Sequence, residues 1–154
     1  MKTSAQGIAF IKLKEGITLV PKQDSGGYSI GYGHYVSNLS SLPSSISMAQ
    51  ADAYFSQDLA TAENAVNQNM TSTALTQQQF DALVDYTYNR GIGAADLPSV
   101  NAQLASSGAA AVATTIRTSG LGCGKDGLKV RRNEEAALMT NTASVVGGKY
   151  QFPS

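Results

Sequence analysis

At 154 residues the chain is the length of one ordinary domain and can bury a core without covalent staples. Its 11 lysines and arginines balance its 11 aspartates and glutamates, which removes any net-charge argument for binding nucleic acid or an anionic membrane surface. The lone cysteine, Cys123, excludes a disulfide scaffold, and the lone histidine, His34, leaves no histidine pair for a metal site.

The first stretch, "MKTSAQGIAFIKLKEG", is a short mixed segment broken by Lys12, Lys14 and Glu15, unlike the apolar core of a secretory signal. No window reaches the roughly 20 apolar residues that cross a bilayer. The expectation is a protein without stable membrane insertion, held in the cytoplasm of the producing cell until a separate route delivers it. Ile8, Phe10, Ile11 and Leu13 fit a short helix, while "FIKLK" alternates like a strand, and Gly16 ends either one. From Val20 to Val36, glycines at 26, 27, 31 and 33 interleave with Tyr28, Ile30, Tyr32 and Tyr35, which predicts a β-hairpin or a small three-stranded sheet.

A Ser/Leu/Pro loop, "SNLSSLPSS", follows, and the character then turns helical. Ser47 with Gln50 and Thr76 with Gln79 form two Ser/Thr-x-x-Gln capping boxes, opening helices over 48–66 and 77–89. In each, a side-chain oxygen and an amide satisfy backbone groups that the first turn leaves unpaired. "NRGIGAADLPS" reads as a stop and turn, "SVNAQLASS" and "AAAVATTIRT" as shorter helices, "SGLGCGKDG" as a loop, and "LKVRRNEEAALMTN" as a final helix. No repeat or linker divides the chain. The expected architecture is one α+β, mainly helical domain over 1–154, with a small β-containing lobe at about 16–46 and a larger helical lobe at about 47–154 that includes the N-terminal helix.

Glu15 and Asp24 flank the start of the glycine-rich hairpin. Two carboxylates facing each other across a groove can share acid and base work on a glycosidic bond. Taken alone, such a pair reads more readily as two solvated surface charges. The surrounding residues narrow the choice. "KEG" followed by "DSGGYSIGYGH" resembles the active-site signature of the phage-type lysozymes, the endolysins of glycoside hydrolase family 24. "LTQQQFDALVDYTYNRG" and "GLKVRRNEEAAL" resemble two further segments of the same family, in the same order.

The resemblance implies a two-lobed lysozyme-like fold with a cleft between the lobes, and hydrolysis of the β-1,4 bond between N-acetylmuramic acid and N-acetylglucosamine in bacterial peptidoglycan. It implies Glu15 as the acid, Asp24 as the carboxylate that activates water or stabilises the transition state, inversion at the anomeric carbon, and no cofactor. Arg131 would approach and orient Glu15. The family usually places a threonine one residue farther from the Asp; here Ser29 is expected to take that role across a hairpin turn one residue shorter. Serine keeps the donor and acceptor but lacks the methyl that fixes the rotamer.

The chain has no tryptophan, so sugar stacking would fall to Tyr28, Tyr32 or Tyr35, each of which also reads as sheet and core packing. His34 reads as a structural residue paired with Asp58. Asn89 either caps its helix or touches substrate, and Arg132, Lys125 and Lys129 read as a solvated helix face rather than as a basic edge facing anionic cell-wall polymer. A monomer is expected, released by a holin as a phage endolysin or paired with an immunity protein as a delivered antibacterial effector. A non-catalytic wall-binding module is a further alternative, as is a transglycosylase, which needs the acid but no water-activating carboxylate, so that Asp24 speaks for hydrolysis.

Overall fold

The computed structural model describes residues 1–121 and 126–154; Cys123 and Lys125 lie outside the described residues. The chain divides into two units, Ile11–Thr61 and Met1–Phe10 with Ala62–Ser154. The ambiguous first segment is a helix, α1 (Ala5–Glu15). Ser4 caps it through an Oγ that accepts from the Gly7 N–H at 3.0 Å, and Phe10 and Ile11 are both buried while Leu13 is exposed. Burial of two adjacent residues breaks the alternation of a strand covered on one face only and is ordinary on a helix face. Gly16, at φ +65°, stops the helix with its N–H on Lys12 O.

In the Ile11–Thr61 unit, β1 (Thr18–Asp24), β2 (Gly27–Gly31) and β3 (His34–Val36) form an antiparallel sheet in that order, with an irregularity in β1 between Thr18 and Lys22. A one-turn 3₁₀ helix (Leu39–Ser41) occupies the predicted loop. The Ser47–Gln50 box then opens α2 (Met48–Asn69), with Gln50 N–H on Ser47 Oγ at 3.1 Å and Ser47 N–H on Gln50 Oε1 at 2.8 Å. α2 runs three residues beyond its predicted end. Ile30, Ile46 and Ala51 form the buried centre of this unit, with Tyr32, Leu42 and Tyr54 packed around them.

The other unit is helical. α3 (Gln77–Arg90) starts with the predicted Thr76–Gln79 box and ends at Gly91, whose N–H caps Thr87 O. α4 (Ile92–Ala95) is a single turn inside the predicted glycine-rich stop, followed by α5 (Leu97–Ser107), α6 (Ala109–Thr118) and α7 (Asp126–Met139). α7 packs against α3 and α6 and buries Leu138 and Met139. It ends two residues before its predicted limit because Asn141 turns left-handed at φ +58°, with Asn141 N–H on Leu138 O and Thr142 N–H on Ala137 O.

A terminal hairpin, β4 (Ser144–Val146) and β5 (Lys149–Gln151), is absent from the sequence expectation. Its turn is Gly147–Gly148, both at positive φ, the two-residue signal that "SVVGGKY" carries. Tyr150 and Phe152 beyond the turn pack on Phe10, Ala82, Leu138 and Ala143. Buried Asp81 gathers this unit's ends: it accepts from Ser4 N–H (3.1 Å), Ser4 Oγ, Gln77 Nε2 (2.8 Å) and Tyr150 Oη (2.6 Å). Burial and the Asp81 contact hold the Tyr150 phenol above its usual value.

Candidate active site

Glu15 is the last residue of α1, and its carboxylate packs directly over Gly33 in the loop joining β2 to β3. A Cβ at position 33 would press on Glu15 Oε2 and sit 3.1 Å from Cδ. Gly33 also has φ +76°, so both space and backbone demand glycine there. The "IGYGH" string thus has a physical reading: Ile30 is core, Gly31 and Gly33 adopt left-handed turns, and Tyr32 packs edge-on against Phe55 at 5.5 Å with Lys12 Nζ 4.8 Å above its ring.

Asp24 is exposed at the end of β1, next to a two-residue turn in which Ser25 (φ +41°) and Gly26 (φ +85°) both take positive φ. That is the pattern of a type I′ hairpin, and it is the short turn that the spacing of Asp24 and Ser29 predicts. Directly paired residues share a sheet face. With Asp24 opposite Gly27, Lys22 opposite Ser29, and Ser29 opposite Tyr35, the side chains of Asp24, Ser29 and Tyr35 leave on one face. Ser29 is 7% exposed. Tyr28 shares the opposite face with Ile30 and His34.

His34 meets its expected partner: Nδ1 lies 2.9 Å from Asp58 Oδ2, and the imidazole stacks on Tyr54 with 4.2 Å between ring centres. The pair joins β3 to α2. It holds the strand that follows Gly33, the residue beneath the Glu15 carboxylate.

Arg131 and Asn89 belong to the helical unit; Arg131 is buried in an ionic cluster, and Asn89 is exposed at its edge. Arg131 grips Asp85 in a fork, Nε to Oδ2 at 2.9 Å and Nη2 to Oδ1 at 2.7 Å. Arg132 is fully buried, corrects the expectation of a solvated face, and is held by Glu135 Oε1 (2.6 Å), Ser119 O (3.1 Å), Asn89 Oδ1 and the ring of Tyr86. Asn89 likewise departs from the capping reading: Gly91 caps α3, and the Asn89 amide oxygen serves Arg132. Lys129 is exposed as expected.

Burial pushes the Asp85 carboxyl up, but the Arg131 charge, with hydrogen bonds from Glu135 and Arg131, brings it below its ordinary value. Glu135 goes the other way: burial and the neighbouring Asp85 charge raise it well above the usual glutamate range, and the two arginines only partly offset this. Neither Asp85 nor Glu135 stands out as a site residue in the sequence. For Glu135 a signal exists, since it stands four residues after Arg131 and three after Arg132. For Asp85 the partner is on another helix and no local pattern names it.

Among the described residues no group of three His, Cys, Asp or Glu side chains could hold a metal ion, and no helix is long and apolar enough to cross a membrane.

The sequence model of the family described as "Phage lysozyme" matches residues 12–135. An endolysin of Bacillus phage PZA is 36% identical over 149 residues, covering 92% of this chain and 56% of that protein. An endolysin of Acyrthosiphon pisum secondary endosymbiont phage 1 is 34% identical over 95 residues, covering 61% of this chain and 63% of that protein. The chain therefore spans only part of the length of these relatives. Among solved structures, the muramidase domain of SpmX from Asticaccaulis excentricus superposes with a TM-score of 0.73 at 33% identity, covering 90% of this chain and 97% of that one. The endolysin of Escherichia coli O157:H7 phage FAHEc1 gives a TM-score of 0.76 at 28% identity, covering 100% and 98%.

Proposed function

The chain belongs to the phage lysozyme family, and from that membership we propose that it is a peptidoglycan hydrolase, a muramidase that cleaves between N-acetylmuramic acid and N-acetylglucosamine with inversion. The observation that carries this reading is the arrangement within Ile11–Thr61: a carboxylate at the end of α1 fitted over Gly33, and a second carboxylate sharing a sheet face with a buried serine. Glu15 is the acid that protonates the departing glycosidic oxygen. It closes α1 with its carboxylate over Gly33. Asp24 activates the attacking water, and Ser29, its diagonal neighbour across the hairpin, helps hold that water. Arg131, fixed by the Asp85 fork, is the supporting cation of this reading, and His34 acts as a brace rather than a base.

In this reading the protein is a monomeric phage endolysin that reaches the wall through a holin. The test is loss of turbidity of purified peptidoglycan by wild type, Glu15→Gln and Asp24→Asn, with mass spectrometry of the released fragments and NMR of the nascent anomer. Wild type is expected to release reducing muropeptides with inverted configuration, and each variant to lose a factor of about 10² or more. A wild type that binds peptidoglycan and releases nothing would sink the hydrolase reading.

A further inference from the structure

The Glu15 carboxylate rests on Gly33, so its place depends on what holds the loop between β2 and β3. The backbone there offers little resistance of its own. Tyr32 stands between Gly31 and Gly33, both at positive φ, and glycine is the residue with the most conformations to lose. The side chain between the two glycines is therefore the loop's anchor. Tyr32 meets Phe55 of α2 edge-on, with 5.5 Å between ring centres. Lys12 of α1 completes the arrangement: its Nζ lies 4.8 Å from the centre of the Tyr32 ring and 5.0 Å from that of Phe55, and it donates to Asp52 Oδ1 at 3.1 Å.

One cation thus ties α1 to α2 and to the loop, all within Ile11–Thr61. Lys12 and Glu15 stand three residues apart, on the same flank of α1. The contacts close into a ring, running from Lys12 to Tyr32, along one peptide bond to Gly33, across to the Glu15 carboxylate, and back down the last turn of the helix. An ordinary surface ion pair does not account for this. Such pairs contribute little, and the Asp52 side chain is 54% exposed. Lys12 is only 33% exposed, and its ammonium lies over two rings whose electron-rich faces attract a cation more strongly as water is excluded.

We propose that Lys12 is a positioning residue for Glu15: its cation pins Tyr32, and through Tyr32 the Gly33 bed, so that the carboxyl is held where it delivers its proton. That the positioned group is a proton donor rests on the hydrolase reading; the clamp on the loop does not.

The test compares Lys12→Met, Lys12→Arg and Asp52→Asn with wild type by kinetics on peptidoglycan, amide hydrogen exchange read by NMR, and thermal melting. Methionine keeps the length and the contact with the rings but not the charge, arginine keeps a cation that stacks on aromatic faces, and asparagine at 52 removes only the ion pair. Lys12→Met is expected to lower kcat about tenfold and leave KM within about twofold, because a displaced proton donor costs rate rather than binding. The amides of Tyr32, Gly33 and His34 should exchange about threefold faster or more in that variant. Lys12→Arg and Asp52→Asn should stay within about twofold of wild type in both readouts. Wild-type kcat or unchanged loop exchange in Lys12→Met overturns the proposal. So does a kcat loss shared equally by all three variants, or one that follows the melting temperature alone. Loop exchange that responds to Lys12→Met in a protein whose wild type cleaves no peptidoglycan would overturn the hydrolase reading and leave the clamp standing.

Discussion

Glu135 and Asp85 show how one cluster drives two carboxyls in opposite directions, and the signs give a test at the level of single residues. Asp85 is depressed in the folded protein, so its stabilisation is present above the unfolded carboxylate range and is lost as pH falls through the folded value. Glu135 is raised, so the folded protein keeps a proton that the unfolded chain has released, and stability drains as pH rises above the unfolded glutamate range of about 4.3. Glu135→Gln, neutral at every pH and still able to accept from Arg132, is expected to match wild type near pH 4 and to exceed it increasingly toward pH 7, as read by thermal melts across that range. Glu135→Ala leaves the buried Arg132 guanidinium without its Glu135 acceptor and should cost about 1–3 kcal/mol. The i,i+3 and i,i+4 spacing of Arg132 and Arg131 to Glu135 is enough to bring the three side chains together on a helix. Their burial is not legible in that spacing, because it depends on α3 and α6 covering the same face.

Among elements, those whose cause is local are readable in the sequence and those whose cause is distant are not. Both capping boxes form as the sequence predicts, because each closes within four residues. The first helix is ambiguous in sequence because "FIKLK" fits two periods, and Ser4, the capping residue that decides it, precedes the apolar run. The terminal hairpin escapes the sequence reading despite its Gly-Gly turn: two strands of three residues have little signal of their own, and they are anchored by Tyr150 and Phe152 on residues far away in the chain. The β1–β2 turn is legible as short but not as type I′. Its geometry makes a measurable claim: Gly26→Ala forces a side chain into φ +85° and is expected to cost about 1–2 kcal/mol by urea denaturation, with a fall in activity as Asp24 loses its fixed place.

For the whole molecule, balanced charge bears on the salt dependence of the proposed hydrolysis. With no net charge there is little long-range attraction to screen, so the rate on peptidoglycan is expected to change less than about threefold between 50 and 200 mM salt. A steep decline would point to a local basic surface instead. The outer strand of the three-stranded sheet has a consequence of a different kind. Leu19 and Val20 are 38% and 55% exposed on an edge that, if regular, would offer a docking template to the same edge of another molecule. The irregularity between Thr18 and Lys22 interrupts that template, Pro21 has no N–H to offer, and Lys22 sets a charge where the two edges would meet. These features disfavour edge-to-edge pairing between copies of the chain. Pro21→Val combined with Lys22→Val should remove that protection and turn a clear stock into one whose light scattering climbs with concentration and time.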